Sequence, residues 1–269
     1  DVVLDLRWGR VEECYGEDPF LNGIFACEEV KGYLDSGISP MLKHFGAHGN
    51  PMGGLNLASV NCGVGELHDV YLYPFKRVIT SLPVQAVMST YNSWNRVPNS
   101  ASHYLLTDIL RKQWGFKGYV YADWGAVDML NTFHHVAVDA SDAAKQALSA
   151  GLDVEASSLC YQQLHRLVKE GKLGEELINQ AVRRVLLAKY RMGLFDDPFG
   201  NEYSVSKLHQ KESVDLSRRI SEESVVLLKN NNSLLPLDIK SLKSIAVVGP
   251  NSNQVQFGDY SWSRSNKDG

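Results

Sequence analysis

The sequence predicts an α/β protein whose main body is a (β/α)8-type barrel, entered after its first strands, with the start of a second α/β domain behind it. Three observations carry this. Short β-like runs alternate with helical patterns, as in βα units on a mostly parallel sheet. Polar residues close the successive strands: Lys43-His44, Tyr91-Asn92, Asp123-Trp124 and Asp153. No glycine-rich phosphate fingerprint follows the first strand. An open doubly wound sheet gathers its ligands at one switch point, whereas polar ends on four strands fit the rim of a barrel.

The elements follow in order. Residues from Pro19 to about Ser36 read as a helix, with Phe20, Ile24, Cys27, Val30 and Leu34 spaced by three and four, and Gly37 ends it. Glu17-Asp18-Pro19 is a structural cap in front of it. Ile38–Leu42 is a short buried strand running into Lys43-His44. Gly65–Leu82 is helical with a kink at Pro74, and Ala86–Ser89 is a strand. Ser102 caps a helix to Gln113, and Lys117–Ala122 is the strand before Asp123. Asp139–Ala150 is a helix, Gly151–Val154 a strand, and Leu159–Glu170 and Glu175–Met192 two further helices. The last is strongly periodic at Leu177, Ile178, Ala181, Val182, Val185 and Leu186. The expected division is a barrel over 1–192, a linker and helix over 193–220, and the start of the second domain over 221–269. In that last part LSRRISEESVVLLKN reads as a helix running into an apolar stretch, and SIAVVGPNSN as a strand and turn. Asp1 opens directly in a strand-like run and Gly269 comes soon after that new strand, so the chain reads as an internal piece of a longer protein.

Composition narrows the function. The chain has 269 residues, 44% of them apolar, enough for a sizeable core. A formal charge of −4 gives no electrostatic case for nucleic acid or an anionic membrane, and no apolar run is long enough to span a bilayer. The four cysteines are scattered without CxxC spacing and read as free thiols. Among the histidines no HxH ends a strand and no HExxH lies on a helix, so no metal site and no cofactor is expected. There is no GxSxG elbow, and IAVVGPNSN lacks GxGxxG.

Carboxylate chemistry is left. Asp123 ends an apolar run with Trp124 behind it. Read alone, Asp123 is a helix cap, a rim ion pair or a catalytic carboxylate. An indole can pack on the apolar face of a sugar ring while cations and carboxylates hold its hydroxyls. Retaining glycosidases pair two carboxylates roughly 5–5.5 Å apart. Their nucleophile must stay ionised, which Lys43 and Arg10 favour if they share its mouth.

Several stretches together resemble glycoside hydrolase family 3: RWGRVEECYGEDPFL, KHFGAHG, VMSTYNSWNRVPNSAS, LLTDILRKQWGFKGYVYADWGAV, ALSAGLDVE, VRRVLLAKYRMGLFDDPF and SEESVVLLKNNNSLLPL, in the family's order and spacing. The resemblance implies a β/α barrel followed by an α/β sandwich, with the active site between them, and a β-glucosidase, β-xylosidase or related activity. It implies that Asp123 is the nucleophile. Lys43, His44 and Arg10 bind sugar hydroxyls, Tyr91 lies near the nucleophile, and Trp124 lines the subsite. The implied partner is an oligosaccharide or glycoside substrate. Against the family pattern, Ala122 stands where many relatives have Ser, and Leu55 where many have Arg, with His48 a substitute donor. The loop after KHF lacks the Asp-x-His of single-domain hexosaminidases, which points to the two-domain glucosidase branch. The family's sugar-gripping Asp is expected before residue 1 and its acid/base Glu beyond residue 269; Glu202, Glu212, Glu222 and Glu223 are poor substitutes. A carbohydrate-binding piece without complete chemistry is the other reading.

Overall fold

A computed structural model describes residues 1–200, 202–254, 258 and 260. It divides into two compact units, 1–198 and 199–269. The first unit holds Arg10, Lys43, His44, Tyr91, Asp123 and Trp124.

In that unit, helix α1 (Pro19–Asp35) starts where Asp18 accepts from the amides of Phe20 and Leu21, so the expected cap is present. Strand β1 (Met41–Phe45) follows. It begins three residues later than expected, because Pro40 has no amide hydrogen to give a ladder. A single turn α2 (Val64–Glu66), a π-helical turn over Leu67–Tyr71 and helix α3 (Tyr73–Ser81) make up the next segment, broken at Leu72 just ahead of Pro74. Strand β2 (Ala86–Ser89) leads to a small antiparallel pair, β3 (Ser93–Trp94) and β4 (Val97–Pro98). The segment Tyr104–Gln113 is wound as a π-helix; the Ser102 hydroxyl accepts from Leu105 N at 3.3 Å. Strand β5 (Tyr119–Tyr121) precedes α4 (Met129–Thr132), α5 (Ala140–Ala150), α6 (Leu164–Lys169) and α7 (Glu175–Arg191).

Strands β1, β2 and β5 form one parallel sheet in that order, with Met41, Ala86 and Tyr119 in register. The register slips between Leu42 and Phe45, where the Lys43–His44 peptide is cis. The expected strand at 151–154 is reduced to a single parallel bridge, Tyr121 to Val154, extended by Ala122 N donating to Val154 O. This parallel β/α succession agrees with the α/β barrel expectation for the unit. Its core joins strand residues Phe45, Val87 and Val120 to Leu105, Leu106 and Ile109 of the π-helix, all fully buried. A groove of about 590 Å³ lies between α1 and β1, lined by Val30, Tyr33, Met41, Leu42 and Phe75 and reaching Glu13 and Lys43.

Asp153 fastens this wall from the core side. It accepts from Arg111 Nη2 at 2.6 Å, Arg184 Nη1 at 2.7 Å and Val120 N at 2.8 Å. The carboxylate thus ties β5, the π-helix and α7 together.

In the second unit, helix α8 (Lys211–Glu223) stops short of VVLLKN. Residues 245–248 form no strand, since a ladder needs a neighbour and none lies beside them among the described residues. Across the described residues no helix is long and apolar enough to cross a membrane.

The N-terminal stretch crosses directly over Gly49: Leu4 N donates to Gly49 O at 2.9 Å. A Cβ on Gly49 would lie 1.9 Å from Val2 O, whereas one on Gly9 would meet nothing within 4 Å. Gly49→Ala is expected to cost about 2–3 kcal/mol in urea unfolding, and Gly9→Ala under about 1 kcal/mol. Equal effects would mean that the crossing is not rigid.

Candidate active site

Asp123 sits just past β5. It caps no helix: Trp124–Asp128 are turns and α4 begins only at Met129, so the helix-cap reading is set aside. Its Oδ1 accepts from the amide of Trp124 at 2.8 Å. Its Oδ2 is buried with no hydrogen-bond partner, though His44 Nε2 lies 3.3 Å away and Arg10 Nη1 3.7 Å. One oxygen is therefore oriented by backbone while the other faces the Arg10 cation and the His44 ring without a hydrogen bond to either.

Arg10 lies at the edge of a short 3₁₀ turn, Val11–Glu13, which brings Glu13 back onto the same side. The guanidinium donates to Glu13 through Nε at 2.6 Å and Nη2 at 2.9 Å, and Nη2 also donates to His44 Nε2 at 2.7 Å. Its carbon lies 6.0 Å from the centre of the Tyr91 ring. Lys43 Nζ, from β1, meets Glu13 Oε2 at 2.8 Å. Burial raises the Glu13 carboxyl, but hydrogen bonds from Arg10 and Lys43 outweigh it and hold the group down at about 2. Glu13 is thus a fixed anion and unsuited to proton donation.

His44 is 1% exposed. Arg10 has only donors, so His44 Nε2 must accept. The ring proton is then on Nδ1, where it reaches Asp1 Oδ2 at 2.8 Å. Burial first, and the Arg10 charge second, push this imidazole down to about 3. It is neutral at ordinary pH, with its lone pair turned to Arg10.

The sequence assigned His48 as a substitute donor, and the structure corrects this. His48 is fully buried: its Nε2 faces Asn56 O at 3.3 Å and Asn56 Oδ1 at 3.0 Å, and its Nδ1 lies 3.8 Å from Asp1 Oδ2, so it stays in the interior beside His44 and off the exposed rim. Asn56 Oδ1 also accepts from Trp8 Nε1 at 2.8 Å. Leu55 itself is exposed. Asp1, His44 and His48 place one potential metal-ligand atom each within 4.8 Å of one another. A cation there would have to displace the His44 proton that Asp1 already holds.

Tyr91 is set by a buried polar layer. Asn92 Nδ2 donates to Ala47 O at 2.6 Å, Ser89 Oγ and Ser100 Oγ pair at 2.8 Å, and Thr90 bonds the Asn92 side chain. Gly46, at φ +139°, passes so close that a Cβ would lie 2.7 Å from Asn99 Nδ2. His134 Nε2 lies 2.8 Å from the Tyr91 carbonyl on the other side. Trp124 stands at the rim, 69% exposed.

The structure thus brings Arg10, Lys43, His44 and Asp123 into one linked group, with Tyr91 beside Arg10 and Trp124 at the edge. It adds two residues that sequence reasoning missed as parts of the mouth. Glu13 had a signal, an acid three residues after Arg10. Asp1 had none, since its partner His44 is 43 residues away.

The family model "Glycosyl hydrolase family 3 N terminal domain" matches residues 1–188, and "Glycosyl hydrolase family 3 C-terminal domain" matches 225–267. The chain is 38% identical over 282 residues to a periplasmic beta-glucosidase of Salmonella typhimurium, covering 98% of this chain and 36% of that protein. It is 33% identical over 267 residues to a beta-xylosidase of Formosa agariphila, covering 93% and 37%. A solved β-glucosidase of Erythrobacter marinus superposes with a TM-score of 0.85 at 38% identity, over 88% of this chain and 33% of that one. The Listeria innocua β-glucosidase with isofagomine gives 0.83 at 36% identity, over 88% and 35%. The chain therefore spans about a third of the length of these relatives.

The depressed His44 makes stability pH-dependent. An unfolded imidazole titrates near 6.5, so between about 3 and 6.5 the unfolded chain holds the extra proton. Stability is full above about pH 6.5 and falls on acidification. From pH 7 to 4.5 the His44 share of the loss is expected to be about 2 kcal/mol, read as a falling Tm, and His44→Gln should make that slope shallower, with the buried His48 and His134, also depressed by burial, supplying the remainder. An unchanged slope would remove His44 as the cause.

Proposed function

Since the chain belongs to glycosyl hydrolase family 3, we propose that it carries the nucleophile side of a retaining, exo-acting β-glycosidase that removes terminal β-D-glucosyl residues. The observation that carries this is Asp123 Oδ2, a buried carboxylate oxygen at a strand end, without a hydrogen bond and next to Arg10 and His44. In this reading Oδ2 attacks the anomeric carbon, and the bond from that carbon to the leaving oxygen breaks. The leaving oxygen takes a proton from a carboxylic acid. Water then attacks the anomeric carbon: its OH goes to the sugar, its other proton restores the carboxylic acid, and the ester bond to Asp123 breaks to free the carboxylate. Neither neighbouring carboxyl suits the acid role: Glu13 is held ionised, and Asp1 is engaged by His44. Lys43, His44 and Arg10 bind ring hydroxyls, Tyr91 borders the nucleophile, and Trp124 lines the rim against the sugar. Residues 1–192 form the catalytic unit, 193–220 the link and 221–269 the beginning of the C-terminal domain.

β-Xylosidase activity is the second reading. A beta-xylosidase of Formosa agariphila, a beta-xylosidase/alpha-L-arabinofuranosidase of Medicago sativa and a xylan 1,4-beta-xylosidase of Xylanibacter ruminicola are 32–34% identical to this chain, against 38% for the Salmonella typhimurium beta-glucosidase. Glucose and xylose differ by one hydroxymethyl group, so aryl β-glucoside and aryl β-xyloside compared side by side decide between them.

A 2-deoxy-2-fluoro glycoside should trap the ester on Asp123 in the complete protein, adding one sugar to the peptide that contains it in mass spectrometry. Asp123→Ala should lower kcat by at least about a thousandfold. A label on any other peptide would defeat the assignment.

A further inference from the structure

Glu13 is the charged group at this mouth that the proposed reaction leaves without a task. Its side chain is 9% exposed, and both carboxylate oxygens are committed to cations. Oε1 takes Arg10 Nε at 2.6 Å; Oε2 takes Arg10 Nη2 at 2.9 Å and Lys43 Nζ at 2.8 Å. The two cations come from separate segments, Arg10 from the N-terminal loop and Lys43 from β1. Side by side without an anion they would repel, and both are long side chains with much rotamer freedom to lose. Arg10 must also keep one orientation to serve three partners: Glu13, His44 at 2.7 Å, and Asp123 at 3.7 Å. A two-pronged contact from a carboxylate fixes the plane of a guanidinium, which a single point contact does not.

We propose that Glu13 is a positioning residue that holds Arg10 and Lys43 as one unit facing the sugar. It sets the plane of Arg10 so that Nη1 faces Asp123 and Nη2 faces His44. It holds the Lys43 ammonium at the same mouth and cancels one of the two positive charges, which keeps the pocket suited to an uncharged ring. This rests on the reading of the site as a glycoside pocket. Glu13 touches no reacting atom, so its effect must pass through the two cations.

The test is a double-mutant cycle in the complete protein, with KM and kcat measured on 4-nitrophenyl β-D-glucoside and β-D-xyloside. Glu13→Gln, which keeps the shape and loses the charge, is expected to raise KM about tenfold while kcat changes less than about threefold. Lys43→Met is expected to raise KM similarly. The double variant should fall at least about fivefold short of the product of the single effects, because the same unit has been broken twice. Glu13→Asp keeps the charge but shortens the reach, and should lie between wild type and Glu13→Gln. Independent, multiplying effects, or a loss confined to kcat, would overturn the proposal. If the unsubstituted protein turns over neither glycoside, the glycosidase reading fails on its own. The proton on Arg10 Nε then still reports on Glu13: its NMR signal should be protected from solvent exchange in wild type and lost in Glu13→Gln. Equal exchange in both would overturn the positioning role.

Discussion

The arrangement of this mouth depends on one guanidinium. Arg10 stands among a carboxylate that grips it on two prongs, an imidazole that offers it a lone pair, and a carboxylate held at a looser 3.7 Å. Three acidic side chains, Asp1, Glu13 and Asp123, converge on a space where Arg10 and Lys43 supply positive charge. In a buried setting such a crowd is tolerated only when each charge is paired and oriented. Arg10 does this for Glu13 directly and for His44 by fixing its tautomer, which in turn directs the ring proton to Asp1. Asp123 receives the remainder of the field but no hydrogen bond on Oδ2. That combination of field without contact is what a nucleophilic oxygen needs.

Much of this framework was legible in the sequence, for reasons that can be named. Helices α1, α5 and α7 were read correctly because their apolar spacing is strong and because Asp18, Asp139 and Gly151 mark their ends by local chemistry. Lys43, His44, Tyr91 and Asp123 could be singled out as neighbours because parallel strands deliver their last residues to one edge. The rest depended on the third dimension. The start of β1 shifted because a ladder needs amide hydrogens and Pro40 has none. The apolar run at 245–248 has strand composition but no neighbour to pair with among the described residues. His48 was assigned outward because a histidine in a glycine-rich loop looks available; its Nε2 is taken by Asn56, a contact that no spacing rule reveals. The role of Asp1 was invisible for the same reason, as was the hold of Arg111 and Arg184 on Asp153.

Two layers of polar contacts support the mouth from opposite directions. On one side, Thr90, Asn92, Asn99 and Ser100 form a buried set that fixes the loop bearing Tyr91 against the backbone of Ala47. On the other, Asp153 anchors β5 two arginines deep, three residues before Asp123. Apolar packing alone would let these loops slide by a rotamer. Hydrogen bonds in a low-dielectric interior penalise each displacement, because a buried donor or acceptor left alone costs more than the bond itself contributes. The catalytic geometry proposed here inherits that rigidity from residues that never touch a substrate.

The loop over residues 51–58 shows how such rigidity can coexist with variation. Gly54 is pressed beneath Arg7, and Asn56 is clasped at once by Trp8 and His48. Between those two fastened points Leu55 extends outward into solvent. Its backbone is over-determined while its side chain is constrained by almost nothing. A position of this kind works like an interchangeable fitting on a fixed mount: leucine, arginine or another residue can occupy it without moving the mount, so the rim can be re-equipped while the wall behind it stays as it is.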